Sequence, residues 1–176
     1  MKAVFFDRDG VINEDLGYVS KIADFTFKDG IFELLEFFKK RNYNLFVVTN
    51  QSGIGRGFYS MDDFFELSIY MQTKISERLG FSFDKIYFCP HIEDDNCDCR
   101  KPKSGMILQA RDEFKLDLSS SFLIGDKISD IEAAKEAGIG HKILLSNETH
   151  NNLKDVLITS DLKSLLGQLE GKYGKL

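Results

Sequence analysis

Short apolar runs alternate along this chain with longer segments whose apolar residues recur at helical spacing, an order few folds accommodate. Ala3 to Phe6 is wholly apolar, as a strand covered on both faces must be. Asn44 to Thr49, Lys85 to Cys89, Ser121 to Ile124 and Lys142 to Leu145 repeat the pattern, and Asp155 to Ile158 is a last short strand. Between them, Gly30 to Arg41 carries Ile31, Leu34, Leu35 and Phe38 on one helical face, with Asp29 positioned to cap its start. Ser60 opens a long helix with Asp63 in capping-box spacing, and Phe64, Leu67, Met71, Ile75 and Leu79 form its apolar stripe. Helices follow from about Gly105 to Lys115, from Ser129 to Ala137 with Gly138 as the stop, and from about Asp161 to Leu169. The closing Gly-Lys-Tyr-Gly-Lys-Leu is expected to fray. Strands alternating with helices predict a three-layer α/β/α, Rossmann-like domain spanning 1–176. Its sheet is mostly parallel, and no segment is long enough for a large cap domain.

Composition narrows the function. Apolar residues make up 43% and charged residues 29% of the chain, a soluble globular balance, and its 16 Phe with no Trp place the aromatic weight of the core on Phe. A net charge of −5 offers no broad basic face, which argues against nucleic acid as a partner. No apolar stretch reaches the ~20 residues that span a bilayer, and the N-terminal apolar run is too short for a signal peptide, so no membrane association and a cytoplasmic location are expected. Met61, Met71 and Met106 read as packing residues on helices, and His141 as an ordinary loop residue.

Ligands of open α/β sheets bind beyond the carboxyl ends of the strands, and the unusual polar residues of this chain fall there. Asp7-Arg8-Asp9-Gly10 ends the first strand. Two carboxylates so close repel each other unless a cation joins them, and Mg²⁺, with its preference for oxygen ligands, suits the pair. Thr49 and Asn50 end the second strand; the Thr49 hydroxyl and nearby backbone N–H groups can hold a phosphoryl oxygen. Arg100-Lys101 adds positive charge, and Gly125-Asp126 adds a third carboxylate. Singly, each has a plain alternative: loop-capping acids, a polar turn, a solvated basic pair, a helix cap at Ser129 or Asp130. Their convergence on one sheet edge reads as a site.

Cys89-Pro90-His91 and Cys97-Asp98-Cys99 account for all 3 cysteines of the chain. An odd, clustered set is no disulfide framework, and three thiolates with one imidazole are the donors of a tetrahedral structural Zn²⁺. A zinc-binding loop is therefore expected at about 89–103.

In these motifs the chain resembles the haloacid-dehalogenase-like phosphohydrolases: Asp7-Arg8-Asp9-Gly10, Thr49-Asn50, Arg100-Lys101, and Gly125-Asp126 with Asp130. It is most similar to their histidinol-phosphatase-related group. Asp15 to Val19, Thr49 to Ile54 with Arg56-Gly57, Cys99 to Pro102 and Gly125 to Lys127 carry that closer likeness, and within the group they favour the heptose bisphosphate branch. The resemblance implies a haloacid-dehalogenase-like fold and a Mg²⁺-dependent phosphatase that works through a phospho-aspartate. Asp7 would be the nucleophile and Asp9 the general acid. Asp7, the Asp9 backbone carbonyl and Asp126 would hold Mg²⁺, while Thr49 and Lys101 would stabilise the transferring phosphoryl group. Asp15, Tyr18, Asn50, Gln51, Ser52, Arg100 and Lys127 would meet the substrate, a small phosphorylated sugar destined for surface glycans, in a monomeric enzyme. The spacer between the cysteine pairs is short, as in the histidinol-phosphate branch, which keeps histidinol phosphate as the rival substrate. A non-catalytic phosphate-binding module is the rival of another class, and Asp9 argues against it, since a binder needs no acid beside the nucleophile.

Overall fold

The computed structural model describes residues 1–174. Strand β1 (Ala3–Phe6) lies at the centre of a parallel sheet, pairing with β2 (Asn44–Asn50) on one side and β4 (Phe122–Gly125) on the other. With β3 (Lys85–Cys89), β5 (His141–Leu145) and β6 (Val156–Thr159), the 6-stranded order is β3-β2-β1-β4-β5-β6. Alternation along β1 sends Val4 and Phe6 into one core and Ala3 and Phe5 into the other, which is why the run holds no polar residue. Helices α1 (Ile31–Lys39), α3 (Met61–Leu79) and α6 (Leu162–Tyr173) cover the first face. Helices α4 (Gly105–Phe114) and α5 (Ile128–Ala137) cover the second, and α2 (Ser52–Gly55) is a single turn after β2. Phe rings knit the layers: Phe5 stacks on Phe46 at 5.5 Å across β1 and β2, and Phe38 meets Phe6 and Phe122. Such pairs add ~0.5–1.5 kcal/mol each beyond their buried area.

The expected three-layer architecture is present, and most elements start within a residue or two of where the periodicity put them. Ser60 and Asp63 form the anticipated capping box, each side chain accepting from the other's backbone N–H. Four expectations are corrected. Asp29 does not cap α1; the cap position is Gly30 at φ +87°, and Asp29 pairs with Lys163 of α6 at 2.6 Å. Left-handed backbone at that position favours glycine, and a Cβ there would press on Lys163 at 3.1 Å. The C-terminal residues do not fray from Gly171: α6 runs to Tyr173, whose ring packs edge-on to Phe122, and Arg41 donates to the Gly174 carbonyl. Lys175 and Leu176 lie outside the described residues. Met61 is 39% exposed in the first turn of α3, while Met71 and Met106 are buried as expected. His141, read as a loop residue, begins β5 and stacks on Phe122 at 4.3 Å.

From β1 the chain builds outward to β2 and β3, then crosses back to add β4, β5 and β6 on the opposite side. The reversal lies at β1, so the segments leaving β1, β2 and β4 emerge side by side at one edge. A cavity of about 510 Å³ opens there.

Candidate active site

Asp7 extends β1 by one hydrogen bond, its N–H donating to the Ile124 carbonyl at 3.0 Å, and this anchors its carboxylate at the cavity floor. Oδ1 of Asp7 accepts from the Arg8 N–H at 2.9 Å and from Lys101 Nζ at 3.0 Å. Lys101 is 4% exposed, and its Nζ also donates to Asp130 Oδ1 at 2.5 Å and to the Val48 carbonyl at 2.8 Å. Asp130 has two tasks: its Oδ2 accepts the Asp126 and Lys127 N–H groups and so caps α5, while Oδ1 holds the lysine.

Burial first, then the Asp130 carboxylate, push Asp7 well above the ordinary carboxylate range, against the pull of Lys101. Asp126 is raised for the same two reasons. Burial works against the charge on Lys101, but Asp130 and Asp7 outweigh it and raise its pKa. Carboxylate oxygens of Asp7, Asp126 and Asp130 lie within 4.8 Å of one another, and Asp126 Oδ1 is buried without a hydrogen-bond partner. One ammonium among three carboxylates leaves negative charge uncompensated, and a divalent cation with oxygen ligands fits the remainder. Gly10, at φ +89°, makes the approach possible: a Cβ would sit 2.1 Å from Asp126 Oδ2.

Asp9 is held on both oxygens. Oδ1 accepts from Arg8 Nη2 and Asn13 Nδ2, each at 3.0 Å, and Oδ2 accepts from Gln51 Nε2 at 3.0 Å. Arg8 is 1% exposed; it also donates to the Val19 carbonyl at 2.6 Å, so the loop that presents Asp15 and Tyr18 is tied to the acid. Gln51 Nε2 donates in addition to Thr49 Oγ1 at 2.9 Å, and Gln51 Oε1 accepts from the Tyr59 hydroxyl. The Asn50 side chain brackets Lys101, accepting its N–H and donating to its carbonyl, both at 3.0 Å.

The mouth is lined by Asp15, Tyr18, Arg56, Glu93, Arg100 and Lys127. Glu93 bridges the two guanidiniums, to Arg56 at 3.0 Å and to Arg100. Lys127 Nζ stands 3.7 Å from Asp15 Oδ2. Beside the mouth, Cys89, His91, Cys97 and Cys99 bring their donor atoms within 4.8 Å of one another, all three thiols free. Burial pushes the Cys89 thiol up, while at Cys97 hydrogen bonds outweigh burial and bring the thiol down to about 7. Three thiols and one imidazole so close together are the donor set of a thiophilic divalent cation.

The pattern of the haloacid dehalogenase-like hydrolases matches residues 13–142, most of the chain. The chain belongs to that family. Among relatives of this haloacid dehalogenase-like hydrolase, one from Campylobacter jejuni is 52% identical over 89% of this chain and 94% of its own length; it is the D-glycero-alpha-D-manno-heptose-1,7-bisphosphate 7-phosphatase. The D-glycero-beta-D-manno-heptose-1,7-bisphosphate 7-phosphatase of Helicobacter pylori strain J99 is 51% identical over 87% of this chain and 86% of its own. A crystal structure of the D,D-heptose 1,7-bisphosphate phosphatase from B. bronchiseptica, complexed with magnesium and phosphate, superimposes with a TM-score of 0.87 at 27% identity, covering 98% of this chain and 99% of the other.

Within this hydrolase the structure brings Asp7, Asp9, Lys101 and Asp126 to one sheet edge, with Thr49 beside them and Asp15, Tyr18, Ser52, Arg100 and Lys127 around the opening. The amides of Asn50 and Gln51 are committed to protein groups. Two residues central to the site were not given site roles from sequence. Asp130 entered as a motif companion of Asp126 and a possible helix cap, because nothing in its neighbourhood announces a lysine that lies 29 positions away. Tyr59 belongs to no motif; the only sequence trace is Gly53, where a Cβ would collide with the Tyr59 ring at 2.1 Å.

Proposed function

We propose that this hydrolase removes the 7-phosphate of D-glycero-D-manno-heptose 1,7-bisphosphate through a phospho-aspartate on Asp7. The observation that carries the chemistry is the buried Asp7–Lys101–Asp130 cluster, with Asp126 and Asp9 at its edge. Both hydrogen bonds to the Asp7 carboxylate fall on Oδ1, which leaves Oδ2 as the attacking oxygen. Oδ2 forms a bond to phosphorus as the bond to the C7 oxygen breaks, and Asp9 protonates the departing alkoxide. Asp9 then takes a proton from water, whose oxygen attacks the phospho-aspartate and restores Asp7 with release of phosphate. Lys101 and Thr49 face the charge that spreads over the equatorial oxygens. The Asp7 and Asp126 side chains and the Asp9 carbonyl would hold Mg²⁺, which when bound supplies charge neutralisation and fixes the phosphoryl group in line.

The relatives, named for both anomers, support the heptose bisphosphate as substrate. Arg56 and Arg100 at the mouth supply cations for a second phosphate away from the metal. The cysteine–histidine set would hold a structural Zn²⁺, which keeps the loop that carries Arg100 and Lys101 in shape. The free thiols support a cytoplasmic setting, and no helix among the described residues is long and apolar enough to cross a membrane.

Steady-state kinetics with Mg²⁺, followed by phosphorus NMR, tests this reading. Loss of the C7 phosphate signal with the C1 signal retained is expected, and a higher kcat/KM for histidinol phosphate would transfer the chemistry to that substrate.

A further inference from the structure

Gln51 and Tyr59 form a chain of contacts that ends on the acid. Gln51 is 2% exposed and Tyr59 8% exposed, and the polar atoms of the Gln51 side chain have hydrogen bonds within the protein. A primary amide so enclosed has two orientations, and its neighbours choose between them. The Asp9 carboxylate decides: it only accepts, whereas a hydroxyl can donate or accept, so Asp9 Oδ2 claims Nε2 and turns Oε1 toward the Tyr59 hydroxyl, which donates to it. Nε2 also reaches Thr49 Oγ1, and the Tyr59 bond anchors the amide at its oxygen end. The backbone is shaped for this contact. Gly53 lets the Tyr59 ring lie against the α2 turn, and Phe58 N–H donates to the Gly53 carbonyl at 2.8 Å, closing the loop that returns Tyr59 to Gln51.

We infer that Tyr59 is a positioning residue which, through the Gln51 amide, holds the Asp9 carboxyl in line for proton delivery to the leaving oxygen. Tyr59 acts at one remove from the reacting atoms; the hydrogen bond from Gln51 holds Oδ2 of the carboxyl group, while Arg8 and Asn13 hold Oδ1. The inference rests on the assignment of Asp9 as general acid.

Leaving-group dependence tests it. An alkoxide needs its proton in the transition state, whereas a nitrophenolate leaves without one, so a misaligned acid penalises sugar phosphates selectively. kcat/KM is the parameter to read, because it reports only the steps through phosphorylation of Asp7. Tyr59→Phe keeps the ring against Gly53 and removes only the hydroxyl. It is expected to lower kcat/KM about tenfold for the heptose bisphosphate and less than about threefold for p-nitrophenyl phosphate, a fraction of the full general-acid contribution. Gln51→Ala should show the same selectivity, and adding Tyr59→Phe to it should cost little more, as for residues acting in series. Thermal unfolding of each variant checks that the fold is intact. Equal losses on both substrates, no loss on either, or additive losses in the double variant would overturn the inference. Asp9→Asn separates its failure from that of the underlying assignment. If Asp9→Asn is selective for the alkyl substrate and Tyr59→Phe is not, the positioning role alone falls; if Asp9→Asn is unselective, both fall.

Discussion

Lys101 shares one buried ammonium between two buried carboxylates, and the balance of those three charges decides what substitutions do at the residue scale. Lys101→Met removes the only cation in hydrogen-bond contact with Asp7 and Asp130 among the described residues. Breaking a buried ion pair from one side typically costs about 3–5 kcal/mol, because the partner stays desolvated and unpaired. Urea denaturation should show a loss of that size without Mg²⁺ and a smaller one with it, because the cation offsets part of the carboxylate charge that Lys101 leaves unpaired. Asp7→Asn acts differently. It lowers negative charge in the cluster, so folding should survive while turnover falls by at least about a thousandfold. Retention of a tenth of the activity in a single-turnover assay would rule out Asp7 as nucleophile. Arg8 is the largest fully buried side chain, and its burial is intelligible only with Asp9 and the Val19 carbonyl as partners.

At the scale of elements, the loop between β3 and α4 joins two features that look separate in sequence. Cys89 ends β3, His91 follows, Cys97 and Cys99 close the donor set, and Arg100 and Lys101 come directly after. Whatever holds the four donors therefore also sets the position of the lysine on Asp7. Cys99→Ser should reduce zinc, measured by elemental analysis of protein purified without chelator, from one per chain to well below one. It should also lower kcat/KM by about 10- to 100-fold, the range seen when support around a site is removed. Unchanged activity in a zinc-free variant would separate the loop from catalysis. The α3 capping box is an independent element: Ser60→Ala should cost about 1 kcal/mol in denaturant unfolding, the usual worth of an N-cap.

For the whole molecule, the sheet order brings Asp7, Lys101 and the pair Asp126 and Asp130 together from distant parts of the chain. The three carboxylates repel one another beyond what Lys101 offsets; the folded core holds them in place, and a divalent cation relieves the repulsion. Mg²⁺ should therefore stabilise the fold, by about 2.7 kcal/mol at a hundredfold excess over its dissociation constant. Calorimetry with and without added Mg²⁺, in chelator-free buffer that leaves the cysteine loop undisturbed, reads this directly. Asp126→Asn should remove most of the Mg²⁺-dependent rise in Tm while leaving the metal-free Tm unchanged or higher.

The sequence by itself determined the layer architecture, because strand and helix periods are local and wholly apolar strands demand cover on both faces. It also exposed Asp7, Asp9, Thr49, Lys101 and Asp126, since these stand at the polar ends of apolar strands or beside an unmistakable cysteine set. Only the tertiary structure decided which partners they meet. Lys101 reaches Asp7 across 94 positions and Asp130 across 29, and no local period records such contacts. It also decided that Gln51 faces Asp9 and not the solvent, because the Tyr59 hydroxyl returns to it past a glycine. Periodicity tells which face of an element is buried; which polar groups meet in that burial depends on strand order and loop path, and these form only when the chain has folded.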